Sequence, residues 1–338
     1  MTDSDNGAAP WRADAHRASD SAYARAAAPS DSVPDYRTLT YERDGRVARI
    51  VFNRPDQGNS ITPDTPVELA DAVERADLDP RVHVIVLSGR GKGFCGGYDL
   101  AASAEHMGDG GFGDGRDTAG TPLDPAVLSA NHDPGRTWDP MVDYAMMSRF
   151  TRGFASLLHA DKPTVAKIHG FCVAGGTDIA LHCDQIVIAA DAKIGYPPTR
   201  VWGVPSAGLW AHRLGDQRAK RLLLTGDCLS GREAAEWGLA IEAPEPEELD
   251  ERTEILVQRI AAMPLNQLMM VKLALNSALL AQGVQNSRMV STVFDGIARH
   301  TREGYAFQQR AADVGFRQAV RERDEEPYGD AGPSTFKG

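Results

Sequence analysis

Apolar residues along this chain form two patterns, short continuous runs and stripes of helical period. Continuous runs predict buried strands of the kind found in parallel sheets, which are covered on both faces. The predicted strands are residues 47–52, 82–87, 164–168 and 185–190. After the first of them, Thr62-Pro63 predicts a helix start with proline at the first helical position. Strands that alternate with helical stripes predict ββα units and an α/β core.

Downstream of Pro205 the pattern becomes mostly helical. The segments of helical period are residues 216–224, 231–237, 247–262, 265–280 and 287–323. The first residues of the chain are rich in Ala, Ser, Asp and Pro and have no sustained apolar period, which is typical of disorder. We therefore predict a disordered N-terminal tail at 1–35, an α/β core at 36–260 and a helical region at 261–338.

A glycine-rich insertion interrupts the core at 101–140. A stretch of this length without predicted helices or strands is unusual inside a domain, and such loops are active-site lids or disordered segments. Phe112, Trp138 and Tyr144 would supply apolar anchors for a lid. Both interpretations stay open at the level of the sequence.

Composition narrows the classes of protein. The 338 residues include 47 acidic and 36 basic side chains, a net charge of −11, which disfavours a general nucleic-acid or anionic-membrane partner. No apolar run is long enough to span a bilayer, and the acidic N-terminus has no secretory or transit pattern, so we expect a cytoplasmic protein. The four cysteines show no paired spacing, which argues against a disulfide framework or a metal site.

Two glycine-rich loops, residues 89–100 and 169–178, each follow a predicted strand. The second loop opens a helix, whose unpaired N–H groups favour negative charge, and Asp178 lies one turn into that helix. One such loop is a weak signal, and the spacing of the first matches neither a Walker A motif nor a dinucleotide fingerprint. Two loops together could direct two N–H groups at one carbonyl oxygen beside a carboxylate.

Several ordered motifs then point to one family. They are Phe52-Asn53-Arg54-Pro55, Gly93-Phe94-Cys95-Gly96-Gly97-Tyr98-Asp99-Leu100, His169-Gly170, Ala174-Gly175-Gly176-Thr177-Asp178, Cys183-Asp184, Ile194-Gly195-Tyr196-Pro197, Gly203-Val204-Pro205, Leu222-Leu223-Leu224-Thr225-Gly226 and Ala234-Ala235-Glu236-Trp237-Gly238-Leu239. In this order they resemble the crotonase (enoyl-CoA hydratase/isomerase) superfamily over residues 36–325, apart from the insertion. The chain is identified as an atypical member.

The resemblance implies a ββα spiral core, a helical C-terminal region, and a homotrimer or a dimer of trimers. It also implies a CoA thioester as substrate, with no further cofactor and no metal. Its shared device is an oxyanion hole of two main-chain N–H groups, which by motif position would belong to Gly96 and Gly175. Such donors stabilise the negative charge that builds on the thioester oxygen of an enolate. Plain tight turns are the alternative interpretation of the two loops.

The catalytic pattern departs from that of the hydratases in this family, which use two glutamates. Asp178 stands where the first is expected, and Pro198, Thr199 and Arg200 occupy the stretch where the second should lie. Asp178 is predicted to be the principal acid and base, although an Asp in a first helical turn can also serve the helix dipole alone. His182, four residues on, is a candidate dyad partner or a core residue.

Other candidates surround these residues. Tyr196 and Thr199 could supply hydroxyls near the missing glutamate, and Cys95 is expected to pack rather than react. His169 is expected to support its loop. The predicted substrate-binding residues are Arg54, Tyr98, Gly97, Gly176, Pro198, Arg200 and Trp202, with Lys272 and Arg321 as weaker choices for CoA.

Four functions therefore stay open at this stage. Enoyl-CoA hydration is the leading one, and double-bond isomerisation is the first rival because one carboxylate can remove and return a proton. Cleavage of a carbon–carbon bond or decarboxylation would use the same enolate hole. A non-catalytic acyl-CoA-binding protein would explain the missing glutamate. The acyl group is not specified by the sequence.

Overall fold

The computed structural model describes residues 29–99 and 118–325 and contains two sheets. The larger sheet has the order β1-β2-β3-β4-β6, in which β1 is antiparallel to β2 and the other neighbours are parallel. Its strands are β1 (Leu39–Asp44), β2 (Val47–Phe52), β3 (Val84–Gly89), β4 (Thr164–Ile168) and β6 (Gln185–Ile188). The smaller sheet has the order β5-β7-β8, with strands β5 (Phe171–Val173), β7 (Lys193–Gly195) and β8 (Cys228–Ser230).

Helices cover the sheets and form the C-terminal third of the chain. Those of the described core are α1 (Asp64–Leu78), α2 (Pro125–Asn131), α3 (Pro140–His159), α4 (Gly175–Ala180), α5 (Ala207–Leu214), α6 (Asp216–Thr225), α7 (Gly231–Trp237) and α8 (Leu249–Ala261). Four more follow, α9 (Leu265–Ala281), α10 (Val284–Arg299), α11 (Arg302–Val314) and α12 (Phe316–Glu325). Within the described residues no helix is long and apolar enough to cross a membrane.

The core lies between the large sheet and helices α1 and α3. Ile50 and Leu87 are paired in the register of β2 and β3, and both are fully buried. Phe52, the last residue of β2, packs edge-on against Phe94 with ring centroids 5.4 Å apart. This contact of two buried rings fixes the first glycine loop to the end of the sheet.

The C-terminal helices are joined to this core by a buried lysine. Lys272 of α9 donates hydrogen bonds to the Leu157 and Lys162 carbonyls at 3.1 and 2.8 Å and pairs with Asp184 at 2.9 Å. Its side chain is 5 % exposed. The sequence-based suggestion that Lys272 contacts CoA is therefore wrong, because its ammonium group is already held inside the protein.

The predicted α/β architecture is confirmed, with differences at the edges of elements. Strand β3 begins and ends two residues later than predicted, and the segment 287–323 divides among three helices. Helix α2 occupies part of the insertion that we expected to be structureless, because Asp124 caps it by accepting from the Ala126 N–H at 2.8 Å. Residues 101–117 of the insertion lie outside the described residues, so the prediction of a lid stays a prediction there.

The predicted tail is described only from residue 29 onwards. Residues 29–35 form no helix or strand, yet Asp31 pairs with Arg81 at 2.8 Å and with Arg43 at 3.4 Å. The end of the segment that we expected to be disordered is thus attached to the core. Residues 1–28 lie outside the described residues, and the domain boundaries stay a prediction.

Candidate active site

The two glycine loops meet at the ends of β3 and β5. Cys95 and Cys172 form an isolated parallel bridge, and the Val173 N–H donates to the Cys95 carbonyl at 3.0 Å. Two glycines permit this approach. A Cβ on Gly176 would lie 2.5 Å from the Cys95 carbonyl oxygen, and Gly97 has φ +97° and faces the Ala174 methyl group. Both loops therefore need glycine at these positions.

The N–H group of Gly175 is the first candidate donor, as the sequence predicted. Gly175 is the first residue of α4, so no preceding turn of that helix accepts its hydrogen bond. The residue before it, Ala174, has φ 53°, a left-handed conformation that costs a non-glycine residue about 1–3 kcal/mol. The strained backbone turns the chain sharply from β5 into α4.

The second donor differs from our expectation. The Gly96 N–H donates to the Gly58 carbonyl at 2.9 Å, so it is not available to a ligand, and the prediction for Gly96 is wrong. Tyr98 instead forms a parallel bridge with Ile61. The Ile61 N–H donates to the Gly97 carbonyl at 2.8 Å, and the Ile61 carbonyl accepts from the Asp99 N–H at 2.9 Å. In such a parallel bridge the Tyr98 N–H points away from its partner strand.

Tyr98 and Gly175 lie against each other. A Cβ built on Gly97 would be 3.3 Å from the Gly175 nitrogen, and one built on Gly175 would be 2.8 Å from Cε2 of the Tyr98 ring. Among the described residues, no main-chain carbonyl accepts from the N–H of Tyr98 or Gly175. The geometry therefore offers two N–H donors at the junction of the loops.

Asp178 lies buried beside this junction. Its carboxylate accepts a hydrogen bond from the Ser206 N–H at 2.9 Å, and the whole residue is 4 % exposed. Burial raises the pKa of Asp178 to about 7, although the hydrogen bonds from Ser206 oppose the rise. A carboxyl group with this pKa can accept and donate a proton near neutral pH.

The proposed pairing of Asp178 with His182 is not formed. The Nδ1 atom of His182 contacts the main-chain carbonyl of Asp178 at 2.5 Å, and burial lowers the pKa of His182 to about 3. The imidazole is therefore neutral and bonded to the backbone of α4, which is the arrangement of a structural residue rather than a dyad.

Two tyrosines lie near the carboxylate. Burial raises the pKa of both Tyr98 and Tyr196 well above the ordinary value, and the negative charge of Asp178 raises each further. The Tyr98 ring packs edge-on against Phe150, with centroids 5.4 Å apart, so it forms a wall of the site. Thr199 donates its hydroxyl to the Tyr196 carbonyl at 3.2 Å, a contact within its own turn.

The residues that replace the second glutamate belong to the 3-10 turn Pro197–Arg200. Arg200 pairs with Asp324 of α12 at 3.3 Å and with Asp227, between α6 and β8, at 3.7 Å. Of the two roles open to Arg200, contact with an acidic acyl group or pairing with a carboxylate, the structure shows the second, so the prediction that Arg200 binds substrate is wrong. Trp202 packs against Phe307 of α11, with ring centroids 5.4 Å apart.

Pro198 lies in the same 3-10 turn and packs closely against Gly203. A Cβ added to Gly203 would lie 2.9 Å from the Cβ of Pro198. Arg54 is also engaged: it donates to the Ser60 carbonyl at 2.6 Å and pairs with Asp99 at 2.8 Å. This is a correction to the prediction that Arg54 is an available cation for a CoA phosphate. Arg321 of α12 is exposed.

His169 and Cys95 support the loops around the Asp178 carboxylate. The His169 Nε2 atom contacts the Gly91 carbonyl at 2.8 Å and so holds the first loop. Burial raises the pKa of the Cys95 thiol to about 12, which leaves it protonated and unreactive at neutral pH. In the described part of the chain, no cluster of three His, Cys, Asp or Glu side chains is arranged to hold a metal ion.

One carboxylate of the site was missed by the sequence analysis. Asp295 of α10 accepts a hydrogen bond from the Val204 N–H at 3.2 Å and raises the pKa of Asp178 through its negative charge. No local motif marks Asp295, because it lies on a helix far along the chain from either glycine loop. The helical period of this segment predicts a buried helix face, but it does not indicate that Asp295 has a catalytic role.

Comparison with known proteins gives the family of the chain. A sequence model of the enoyl-CoA hydratase/isomerase family matches residues 42–114 and 139–312, which is more than half of the chain. The chain belongs to this family, as its motifs predicted, and it is an enzyme of the hydratase/isomerase type. The residues between the two matched parts lie in the insertion.

Solved and curated relatives agree with this assignment. A crystal structure of an enoyl-CoA hydratase from Mycobacterium smegmatis is 66% identical, has a TM-score of 0.80, and covers 88% of this chain and 96% of that chain. The (E)-benzylidenesuccinyl-CoA hydratase of Thauera aromatica is 28% identical over 285 residues, 81% of this chain and 97% of its own. The 1,2-epoxyphenylacetyl-CoA isomerase of Escherichia coli is 27% identical over 235 residues, 69% of this chain and 79% of its own.

Proposed function

We propose that this enzyme hydrates the double bond of a 2-enoyl-CoA thioester. The observation that carries the proposal is the pair of N–H donors of Tyr98 and Gly175 beside the buried carboxyl group of Asp178. Addition of water at the β carbon places negative charge on the thioester oxygen. Donors fixed in advance stabilise that charge by about 3–4 kcal/mol each in comparable oxyanion holes.

Asp178 is proposed to be a principal acid and base of this reaction. Because burial holds its pKa at about 7, both protonation states are populated at neutral pH. Tyr98 and Gly97 would line the pocket on one side and Gly176 on the other, where the loops meet. CoA takes part in this reaction as a portion of the thioester substrate, and we propose no further cofactor.

A panel of thioesters tests the proposal. Purified protein is incubated with crotonyl-CoA, a 3-enoyl-CoA and a malonyl-type thioester, and the products are identified by mass spectrometry. We expect crotonyl-CoA alone to gain the mass of one water. Asp178→Asn should lower this turnover by about 100-fold or more while CoA-ester binding by calorimetry is retained. Hydration by the variant at the wild-type rate would exclude Asp178 from the mechanism.

Double-bond isomerisation is the second candidate. A single carboxyl group with a pKa near 7 can remove a proton from one carbon and return it to another, and the relative from Escherichia coli carries the name of an isomerase. In the same panel, isomerisation would convert the 3-enoyl-CoA to its 2-enoyl isomer without a change in mass, so this product is identified by the ultraviolet absorbance of the conjugated thioester. Conversion of that compound alone would favour this function over hydration.

We further infer a homotrimer or a dimer of trimers, the assembly that the family resemblance implies. Helices α9 and α10 support it because both expose large apolar side chains. These are Met270, Val271, Leu273 and Leu275 on α9 and Met289, Val290, Val293, Phe294 and Ile297 on α10. Large apolar side chains exposed together on successive helices are typical of an interface between protein chains. The cytoplasmic location stays a prediction of the sequence.

A further inference from the structure

Asp178 and Asp295 are held by one short segment of chain. The Ser206 N–H donates to Asp178 at 2.9 Å and the Val204 N–H donates to Asp295 at 3.2 Å. Pro205 lies between them and has no N–H of its own. Since two residues of extended chain span at most about 7 Å, the two N–H donors lie within that distance of each other, and one stretch of chain holds both carboxyl groups.

The charges of the two carboxyl groups reach the same neighbours. Both Asp178 and Asp295 raise the pKa of Tyr98, and both raise the pKa of Tyr196. Tyr98 in turn contributes the N–H donor next to Gly175. Asp295 is therefore an electrostatic member of the site, although it comes from a different part of the chain.

Asp295 has an incomplete set of partners for a buried carboxylate. Its carboxylate lies 3.5 Å from Arg299, and among the described residues that Nη2 atom completes no hydrogen bond. Asp143 on the other side of Arg299 is different, because one of its oxygens accepts from Asn131, Trp138 and His300. A carboxylate can accept about four hydrogen bonds. The side chain of Asp295 is 13 % exposed, so a small molecule such as water has access to it.

We propose that Asp295 is a catalytic residue that takes the place of the glutamate missing from the turn Pro197–Arg200. The proposal rests on the hydration function proposed above. Asp295 accepts a proton from water as the water oxygen bonds to the β carbon. The double-bond electrons pass towards the thioester oxygen, which the Tyr98 and Gly175 N–H groups hold. Asp178 then gives its proton to the α carbon, and transfer of the proton from Asp295 back to Asp178 completes the cycle.

This division of roles follows from the surrounding charges. Burial raises the pKa of Asp295 above its usual value and Asp143 adds to the rise, whereas Arg299 and the Val204 N–H oppose it. Among the described residues no cation contributes to the pKa of Asp178, which burial and Asp295 both raise. We therefore assign the transferable proton to Asp178 and the role of ionised base to Asp295, whose carboxylate the Arg299 guanidinium stabilises.

Two reactions separate the roles of the carboxyl groups. One is hydration of crotonyl-CoA, which needs both, and the other is exchange of the α protons of butyryl-CoA with D2O, which needs Asp178 and the oxyanion donors only. We expect Asp295→Asn to lower hydration by about 100-fold or more and exchange by less than about 3-fold. The asparagine oxygen can still accept from the Val204 N–H, so the fold is kept. Asp178→Asn should abolish both reactions.

Asp184→Asn is the matched control, because Asp184 also accepts a main-chain N–H, that of Thr164, but contributes to the pKa of neither Asp178 nor Asp295. It should change the two rates in parallel. Equal losses of hydration and exchange in Asp295→Asn would show a merely structural role and overturn the proposal, as would hydration within about 3-fold of wild type. If the wild-type enzyme exchanges the α protons but hydrates no enoyl-CoA, it is the proposed function that fails.

Discussion

At the scale of single residues, burial decides the chemistry of this site. Asp178 is 4 % exposed, and the loss of water around its carboxyl group raises the pKa to about 7. The same burial leaves the Cys95 thiol protonated and the His182 imidazole neutral. Of Asp178, Cys95 and His182, only Asp178 has a pKa near neutral pH, where a group can both accept and donate a proton.

The raised pKa of Asp178 has a consequence for stability. The unfolded chain releases the proton of this carboxyl group at a pKa near 3.8, whereas the folded protein retains it to about 7. Stability is therefore lost as pH rises through this window. Asp178→Asn removes the titration, so the variant should gain about 2–3 kcal/mol of unfolding free energy relative to wild type between pH 5 and pH 8. Urea unfolding of both proteins at the two pH values measures the difference.

The comparison cancels the other titrating groups, because wild type and variant share them. Asn keeps the size of the side chain and an oxygen for the Ser206 N–H. A difference in unfolding free energy that does not change between pH 5 and pH 8 would contradict the raised pKa.

The prediction of Gly96 as the second N–H donor was wrong because it rested on residue type. The sequence favours Gly96 because glycine allows close approach, but the property that matters is an N–H group without a partner. The parallel bridge to Ile61 leaves the Tyr98 N–H in that state, and the Gly96 N–H is bonded to Gly58. Which N–H groups are unpaired follows from strand pairing, and a single sequence does not specify pairing.

At the scale of elements, long apolar patterns were predicted well and short elements were not. Strand β2 and helix α7 have the predicted bounds. Strands β5, β7 and β8 have three residues each, too few for a periodic pattern, and they escaped prediction. These short strands matter for the site, because β5 leads into Ala174 and Gly175 and β7 accepts a hydrogen bond from the Ala174 N–H.

The candidate site shows the same limit. Asp178 and Gly175 share one loop, so their order in the sequence was sufficient to predict them. Asp295 joins them only because α10 packs against α3 and α5, which is a tertiary contact. Arg54 and Arg200 were misjudged for the same reason, since their partners Asp99 and Asp324 are not neighbours in the sequence.

At the scale of the whole molecule, α9 and α10 have two different sides. Asp295 and Arg299 of α10 face the interior, where Arg299 pairs with Asp143 of α3 at 3.3 Å, whereas Val293 and Phe294 are exposed. A partner subunit on the apolar side would fix α10 and thus the position of Asp295. Association of the subunits would therefore help to position Asp295 beside Asp178.

Substitution of Leu275 tests the assembly. Leu275 of α9 is 67 % exposed, and burial of a leucine in an interface is worth about 1.5–3 kcal/mol, so Leu275→Asp should weaken association. Wild type is expected to sediment at three or six times the 36.4 kDa mass of the chain, and the variant at a lower mass. Leu224→Asp is the control, because Leu224 is 82 % exposed on α6, outside the apolar side of α9 and α10. A wild-type protein with the mass of one chain would exclude the proposed oligomer.

The central claim is that the N–H groups of Tyr98 and Gly175 receive the thioester oxygen beside Asp178. A crystal structure of the enzyme with a bound, slowly reacting acyl-CoA thioester tests it most directly. We expect the thioester oxygen to lie within about 3.1 Å of both nitrogen atoms and the α carbon to face Asp178. A thioester oxygen bound elsewhere, with both N–H groups more than about 4 Å away, would contradict it.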